Sequence, residues 1–301
     1  MACSGEIVAR AAALGVAVPA FNVPYLPMVE PVVRAVRDMD AFAFVATARL
    51  EWIKFESQGP AAVMREFTRW RDPEHVCIHL DHIPVVDEDS QEVNYLPIVE
   101  EAIRLGYCSV MVDGSRLSLE GNIEATRQVV ELAHRAGIPC EAELGAVLGH
   151  EVGPLPPYEE LFRSGLGFTD PGEAARFVRE TECDWLSVAV GNIHGAVSGV
   201  LKDRRKVEAR LDLDHLDRLR RATGIPLVLH GGSGVKQEDM RAAMKRGIAK
   251  VNVGTEIRQP YEIALRESGS VTEARHACYE RTCWVIHDYL GLAGSRALLV
   301  G

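Results

Sequence analysis

Residues 226–253 read PLVLHGGSGVKQEDMRAAMKRGIAKVNV. An apolar run over 226–230 passes through a glycine-rich turn into an amphipathic segment over 237–246, and a second apolar run follows over 248–253. Runs of this length and composition predict a strand, a helix and another strand. Because a helix separates the two apolar strands, we expect them to be parallel and covered on both faces.

The same alternation extends over most of the chain. Further amphipathic segments lie at 4–14, 118–136, 171–180 (after a cap at Thr169-Asp170-Pro171) and 212–222. The predicted strands are 17–21, 42–46, 76–80, 108–112, 139–143, 185–190, 226–230 and 248–253. Eight such units predict a single-domain (β/α)8 barrel over about 15–268, with a short helix before it and a helical tail over about 269–301. An open doubly wound sheet is the alternative.

Polar side chains fall at or just after the carboxyl end of nearly every predicted strand, and this favours the barrel. They are Asn22, Asp81, His82, Asp113, Glu143, His194, His230 and Asn252. The strands of a barrel open onto one face, so we expect these side chains to converge there. One buried histidine or aspartate is more often structural, but repetition at so many strand ends predicts an active site.

Three of these residues, His82, His194 and His230, are typical of a catalytic zinc site. Imidazole nitrogens suit Zn²⁺, and three protein ligands leave one position for substrate or water. His79 is expected to face the same side as Asp81 and is interpreted as a core or supporting residue. We place no Schiff-base lysine at an inward-facing strand end among Lys54, Lys202, Lys206, Lys236, Lys245 and Lys250.

Glycine-rich turns follow the last three strands. They read GNIHG at 191–195, HGGSG at 230–234 and NVGTE at 252–256. Loops at these positions of a barrel commonly hold a phosphate through backbone N–H groups and hydroxyls, here those of Ser233 and Thr255. Tight turns alone would also explain any one of the three loops.

The composition excludes several classes of protein. The 301 residues are 47% hydrophobic and 25% charged, which is ordinary for a folded chain, and the net charge of −10 argues against nucleic acid or an anionic membrane as the main partner. The chain shows no 18-residue apolar run and no signal-peptide pattern, so we expect no membrane association. Seven scattered cysteines without a C-x-x-C motif predict a reduced, cytoplasmic setting.

Seven motifs occur in order between about residues 5 and 265. They are PAFN at 19–22, HLDH at 79–82, SVMVDGS at 109–115, EAELG at 141–145, HG at 194–195, HGGSG at 230–234 and NVGTE at 252–256. Together they resemble the class II, zinc-dependent ketose-bisphosphate aldolases, a family that includes the fructose- and tagatose-bisphosphate enzymes.

The resemblance implies an enzyme that reversibly cleaves a phosphorylated ketose to dihydroxyacetone phosphate and an aldehyde. Asp81 would exchange a proton with the C4 hydroxyl, while Zn²⁺ stabilises the enediolate. Glu151 aligns with the mobile catalytic carboxylate, in a loop that departs from the usual Gly-Gly-x-Glu-Asp pattern and continues as a lid to about residue 168. The implied ligands of one catalytic Zn²⁺ are His82, His194 and His230, and those of a second divalent metal are Asp113 and Glu143.

The resemblance also implies where the triose phosphate end of the substrate binds, with Na⁺ or K⁺ beside the phosphate. The implied binding residues are Asn22, Gly195, Gly231, Gly232, Ser233, Asn252, Gly254 and Thr255. It further implies a homo-oligomer, a dimer or tetramer, with the helical stretch 271–290 as a candidate contact.

Two segments depart from the family at the predicted catalytic face. Residues 47–54 read TARLEWIK where relatives have a small Ser/Gly-rich loop, and residues 83–94 form an acidic extension. Gly254 also replaces a carboxylate or amide. We therefore expect an unusual distal half of the substrate, selected by Arg49, Trp52, Asp87, Glu88 and Asp89. Loops that face solvent or a neighbouring subunit are the alternative.

Two other functions compete with the aldolase. A barrel hydrolase would use the same histidines and aspartates to activate water, but it leaves the phosphate-type loops without a purpose. A phosphosugar-binding barrel that has lost catalysis is favoured only by the altered loops near Arg49 and Glu151. An aldolase for a non-glycolytic ketose phosphate is a variant of the leading hypothesis.

Overall fold

A closed barrel of eight parallel strands forms the centre of the chain. The computed structural model describes residues 3–145, 157–192 and 209–301. Each strand pairs with the next along the chain, and the first pairs with the last. This order confirms the predicted (β/α)8 barrel and rules out the open sheet. The strands are β1 (Val18–Asn22), β2 (Ala43–Ala48), β3 (Val76–Pro84), β4 (Ser109–Asp113), β5 (Cys140–Leu144), β6 (Trp185–Val188), β7 (Leu227–Leu229) and β8 (Ile248–Val253).

Helices cover the outside of the barrel. The five amphipathic segments expected at 4–14, 118–136, 171–180, 212–222 and 237–246 are all helical, to within two residues at each end. In the described ranges the helices are α1 (Ser4–Leu14), α2 (Val29–Asp38), α3 (Arg49–Ile53), α4 (Pro60–Trp70), α5 (Tyr95–Leu105), α6 (Leu119–Arg135), α7 (Tyr158–Ser164), α8 (Pro171–Thr181), α9 (Leu213–Thr223), α10 (Gln237–Met244), α11 (Thr255–Ser268), α12 (Val271–Trp284) and α13 (Arg296–Val300), with a 3₁₀ turn at Leu26–Met28 and a π-helical turn at Val285–Leu290.

The floor of the barrel is apolar and is closed by the two ends of the chain. Phe44 and Trp185 pack with ring centroids 5.8 Å apart. Ile7 of α1 and Leu299 of α13 belong to the same buried cluster. Burial on this scale stabilises by about 25 cal/mol per Å² of apolar surface. The charged side chains inside the barrel therefore have an apolar layer beneath them.

The helical tail expected after about residue 269 is present and contacts the barrel helices. α12 packs on α11 and α2. The π-helical turn lies against α10, where the Arg241 side chain donates to the Tyr289 carbonyl at 3.2 Å. Within the described ranges, no helix combines the length and apolarity needed to cross a membrane.

Two predicted strands end at other residues in the structure, and a segment expected as a loop contains a helix. The strand expected over 185–190 ends at Val188, because the side chains of Thr169 and Asn192 accept from the backbone N–H groups of Ala189 and Val190. The segment 47–54 contains helix α3, whose first turn is capped by Glu51 accepting from Ala48 N at 2.9 Å. The strand expected over 76–80 continues to Pro84.

The Thr169 side chain joins the carboxyl ends of β5 and β6. It is fully buried, its hydroxyl donates to the Leu144 carbonyl at 2.5 Å, and it accepts from Ala189 N at 2.9 Å. One residue later Asp170 accepts from two backbone N–H groups at the start of α8, which confirms the predicted cap. A single hydroxyl therefore satisfies one backbone group on each of two neighbouring strands.

We expect Thr169→Val to lower the free energy of unfolding by about 1–3 kcal/mol, because the shape is kept while two buried backbone groups lose their partner. Urea denaturation of the metal-stripped protein measures the difference. Thr68→Val is the matched control, since Thr68 is exposed on α4 and its hydroxyl bonds only the carbonyl and sulfur of Met64 in the preceding turn; its change should stay within about 0.5 kcal/mol. Equal effects of the two substitutions would contradict the role given to Thr169.

Candidate active site

The polar side chains predicted at the strand ends converge at the carboxyl mouth of the barrel. Direct contacts of 4.0 Å or less join seven residues from six strands or strand ends into two groups that meet at the adjacent residues Asp81 and His82. The first group is Asn22, Asp81 and Asn252, and the second is His82, Asp113, Glu143 and His230. His194, Gly195 and Glu151 lie outside the described residues, so their roles stay predictions.

A bulge in β3 brings two adjacent residues to one site. In a regular strand Asp81 and His82 would face opposite sides of the sheet. Here the pairing of β3 with β4 shifts between Leu80 and Ile83, and His82 has a φ of 38°. This left-handed conformation is uncommon for a non-glycine residue, and it directs both side chains into the mouth.

Two imidazoles and a carboxylate form the upper cluster, which we define as His82, Glu143 and His230. Their ligand atoms all lie within 4.8 Å of one another. His82 Nε2 and His230 Nδ1 face each other in a very short contact, and Glu143 Oε2 lies 3.6 Å from His230 Nδ1. On the other side of the His82 ring, Nδ1 is 3.5 Å from Asp113 Oδ2. Nitrogen and carboxylate donors aimed at one point are the set that Zn²⁺ prefers.

The pKa values of all three side chains in the upper cluster are shifted from their ordinary values. Burial alone would lower the pKa of His82, but the charges of Asp81, Asp113 and Glu143 outweigh it and raise that pKa to about 10. Burial and the charge of His82 lower the pKa of His230 to about 4. Burial and repulsion by Asp113 raise the pKa of Glu143 to about 8. The acidic groups around His82 thus favour its protonated form, while His230 is held neutral.

Glu141 supports the upper cluster from below. Its Oε1 accepts from His230 Nε2 at 2.7 Å, which leaves His230 Nδ1 directed at the cluster. Burial would raise the pKa of Glu141, but the ammonium of Lys250 and the His230 bond lower it to about 2. A carboxylate behind a ligand histidine sets the tautomer and the orientation of the ring.

Two amides hold the predicted acid/base, Asp81. Asn22 Nδ2 donates to Oδ2 and Asn252 Nδ2 donates to Oδ1, each at 2.8 Å. Burial would raise the pKa of Asp81, but His82, His79 and Lys250 together hold it well below its usual value. Asp81 is therefore an oriented, ionised carboxylate beside the upper cluster.

Sequence analysis placed no lysine at an inward-facing strand end, but it missed that Lys250 faces inward from the middle of β8. Its side chain is fully buried in the barrel, with Nζ 2.8 Å from Glu141 Oε2. Along β8, Val251 and Val253 belong to the core cluster between sheet and helices, so Lys250 and Asn252 face the interior by the alternation of a strand. His79 is also buried there, and its Nδ1 lies 2.8 Å from Ser109 Oγ.

The turns after β7 and β8 form a closely packed pair. A Cβ on Gly232 would lie 2.6 Å from Val251 Cγ1, and Gly231 has a φ of 64°, so both positions require glycine. Ser233 is nearly buried, and its hydroxyl accepts from Glu256 N in the first turn of α11. The neighbouring Gly254 and Thr255 lie at the start of that helix, as the N-cap and the first residue.

Sequence reasoning missed two residues that support the site without lying at its surface, Tyr289 and Glu141. Tyr289 reaches from the π-helical turn and places its hydroxyl within 3.0 Å of the carbonyls of Gly232 and Val235. Glu141 lies in the EAELG motif, two residues before Glu143, and alternation alone puts both carboxylates on one face. No comparable signal in the sequence indicates Tyr289.

Ion pairs join the two segments near the mouth that depart from the family, residues 47–54 and 83–94. Arg49 Nη1 lies 3.1 Å from Asp87 Oδ2, and Lys54 Nζ lies 2.7 Å from Asp89 Oδ2 and 3.9 Å from Glu88. Trp52 is half-buried against the core. Their selection of the distal half of a substrate stays a prediction, but the two cations and the acids already partner one another.

Known proteins are similar to this chain in sequence and in fold. The chain is 40% identical over 207 residues to a fructose-bisphosphate aldolase of Streptococcus pneumoniae, a match that covers 68% of this chain and 61% of that relative. A crystal structure of the YdjI aldolase from Escherichia coli K12 is 27% identical, covers 98% of this chain and all of that one, and has a TM-score of 0.76. A fructose-bisphosphate aldolase from Campylobacter jejuni, 17% identical with a TM-score of 0.71, shows the same fold.

A sequence profile extends the match along the chain. The profile described as "Fructose-bisphosphate aldolase class-II" covers residues 4–289. That range contains every strand of the barrel, the upper cluster and the turns after β7 and β8. The chain therefore belongs to the class II fructose-bisphosphate aldolase family.

Proposed function

We propose that this protein is a zinc-dependent aldolase that reversibly cleaves a phosphorylated ketose to dihydroxyacetone phosphate and an aldehyde. The observation that carries the proposal is the convergence of His82, His230 and Glu143 beside a carboxylate, Asp81, that two amides orient. Family membership supports the reaction class. His194, outside the described residues, is proposed as the third zinc ligand.

The donor set fits zinc. His82 and His230 present ring nitrogens to one point, and Glu141 orients the second ring. When bound, Zn²⁺ supplies a Lewis acid that polarises the carbonyl of the substrate. Asp113 and Glu143 are proposed for a second divalent metal, because they approach His82 from its other side.

Asp81 is proposed to move the proton of the C4 hydroxyl. In cleavage a base must take this proton, and an ionised carboxylate held at both oxygens is oriented for that step. In condensation the same carboxyl returns the proton. We assign the proton transfer at the other carbon to Glu151, on the resemblance alone.

The turns after β7 and β8 are proposed to bind the phosphate of the triose half. Close packing at Gly232 brings backbone near backbone, and the buried hydroxyl of Ser233 lies beside the start of α11, a 14-residue helix. A hydrolase that only activates water has no use for this arrangement, so the aldolase is favoured. The other proposed contacts, with Na⁺ or K⁺ near the phosphate, are Asn22, Gly195, Gly231, Asn252, Gly254 and Thr255.

Three further proposals rest on the resemblance. We propose a homo-oligomer, with α12 and the π-helical turn as candidate contacts. A cytoplasmic setting and an unusual distal half of the substrate stay predictions as well.

The function is tested by metal analysis together with retro-aldol assays on a panel of ketose mono- and bisphosphates. We expect about one catalytic Zn²⁺ per chain, and no cleavage after chelation or in His82→Ala, His194→Ala or His230→Ala. Turnover should be highest on a ketose phosphate other than fructose 1,6-bisphosphate. Unchanged zinc content in His194→Ala and His230→Ala would refute the ligand assignment, and a folded, zinc-loaded protein inactive on the whole panel would refute the aldolase.

Asp81→Asn should keep its zinc and lose on the order of 10² to 10⁴ in kcat, the usual scale for general acid–base catalysis. Asp38→Asn is the matched control, because Asp38 is exposed at the end of α2 on the far side of the barrel. Zinc content and steady-state kinetics are measured on both variants. Near-native turnover of the Asp81 variant would rule out its proposed role.

Glu51 provides a test of charge at the mouth. Burial raises its pKa to about 8, against the opposing effect of the hydrogen bond that Ala48 N donates to its carboxyl. The folded state therefore holds a proton that the unfolded chain releases above about pH 4.5. The free energy of unfolding should consequently fall as pH rises from about 5 to 8, by at most about 1.4 kcal/mol per pH unit.

Glu51→Gln should not show this loss, so its stability relative to the native chain should rise over the same pH interval. Urea denaturation in EDTA across that range measures the difference. Glu124→Gln, on the exposed side of α6, is the matched control and should follow the native profile. Parallel profiles for the native chain and the Glu51 variant would show that Glu51 is ionised in the folded protein.

A further inference from the structure

Below Asp81 the barrel contains a second group of buried ionisable side chains. The deep cluster, defined as His79, Asp81 and Glu141, has ligand atoms that all lie within 4.8 Å of one another. All three residues are fully buried, and so is Lys250 on β8 beside them. Within the described ranges, His79 Nε2 has no hydrogen-bond partner although it is buried and lies 3.5 Å from Asp81 Oδ1.

The Lys250 ammonium occupies the middle of this group. Nζ lies 2.8 Å from Glu141 Oε2 and 3.8 Å from Asp81 Oδ1, and it donates to Asn252 Oδ1 at 2.6 Å. Lysine is almost never fully buried unless it is paired. Here one cation lies between the two carboxylates of the cluster, where uncompensated negative charge would be costly.

The same ammonium determines which way the Asn252 amide points. An ammonium only donates hydrogen bonds, so Asn252 must turn its oxygen toward Lys250. The amide nitrogen is thereby directed to Asp81, where it donates to Oδ1 at 2.8 Å. The orientation of Asp81 thus depends on a charge two residues before Asn252 on the same strand.

Apart from Lys250, the deep cluster has the donors of a metal site. Two carboxylates and an imidazole within a few ångströms are a suitable ligand set for a divalent cation. It adjoins the upper cluster, so one barrel contains two sets of donors. The ammonium of Lys250, which is part of β8, already supplies a positive charge to the deep cluster.

We propose that Lys250 is a built-in cation: its ammonium takes the place of a metal in the deep cluster, positions Asp81 through Asn252, and confines metal binding to the upper cluster. The replacement of a metal and the confinement of metal binding to the upper cluster concern binding alone. The positioning of Asp81 rests on the proposed function, so it is tested by a separate measurement.

The binding part is tested by counting Zn²⁺ and Co²⁺ per chain in a background without the upper site, His82→Ala/His230→Ala. Adding His79→Gln to this background should leave the count unchanged, because Lys250 keeps the deep cluster free of metal. Adding Lys250→Met instead should raise the count by about one, and His79→Gln should remove that increase. Loss of a metal on adding His79→Gln alone, or no increase in a folded Lys250→Met chain, would overturn the proposal.

The first comparison does not need the lysine variant, so a metal lost on adding His79→Gln would overturn the proposal even when Lys250→Met fails to fold. Circular dichroism and urea denaturation establish which variants are folded. Lys236→Met, at the N-cap of α10, is the control for a lysine-to-methionine change and should leave the metal count unaltered.

The positioning part is tested by Lys250→Met in the otherwise native, zinc-loaded chain. We expect kcat to fall by about 10²-fold with KM nearly unchanged, because the reacting carboxylate is misplaced while substrate contacts remain. A folded variant with native kcat would overturn this part. A native chain inactive on every ketose phosphate would refute the proposed function, while the metal counts would still decide the binding part.

Discussion

The Glu141 carboxylate joins the two buried charged layers of the barrel interior. Its Oε1 accepts from His230 Nε2 and its Oε2 contacts Lys250 Nζ. A buried anion is costly unless it is paired and hydrogen-bonded, and here each oxygen has its own partner. The tautomer of His230 above and the position of Lys250 below both follow from this carboxylate. The upper cluster and the hydrogen bonds that hold Asp81 therefore belong to one network.

The barrel was predictable because its signal is repeated. Apolar runs that alternate with amphipathic segments appear eight times, and polar residues such as Asn22 and Asp113 follow the runs at the same relative place. No single run decides the fold, but a parallel closed sheet is the arrangement that brings all those ends together. The end of β6 was less predictable, because Thr169 and Asn192, rather than a turn signal, replace the ladder hydrogen bonds there.

The interior of the site was harder to predict than its rim. Alternation puts Asp81 and His82 on opposite faces, and only the bulge in β3, with its positive φ at His82, brings them together. Lys250 was missed because a lysine in a strand usually reaches solvent. Its burial depends on register: the strand that faces it across the barrel carries Glu141, and no local pattern shows that partner.

The mouth of the barrel is asymmetric, and the asymmetry limits how a substrate can be selected. The turns after β7 and β8 leave glycine positions and backbone groups near the upper cluster, whereas the segments after β2 and β3 are tied by their own ion pairs. A ligand that binds Arg49 must first separate it from Asp87, and both side chains of that pair are largely buried. Breaking such a pair leaves a charge poorly solvated, which costs more than breaking an exposed one. A distal half selected at these segments would therefore meet a surface whose charges are already paired, and shape rather than the charge of Arg49 would discriminate between substrates.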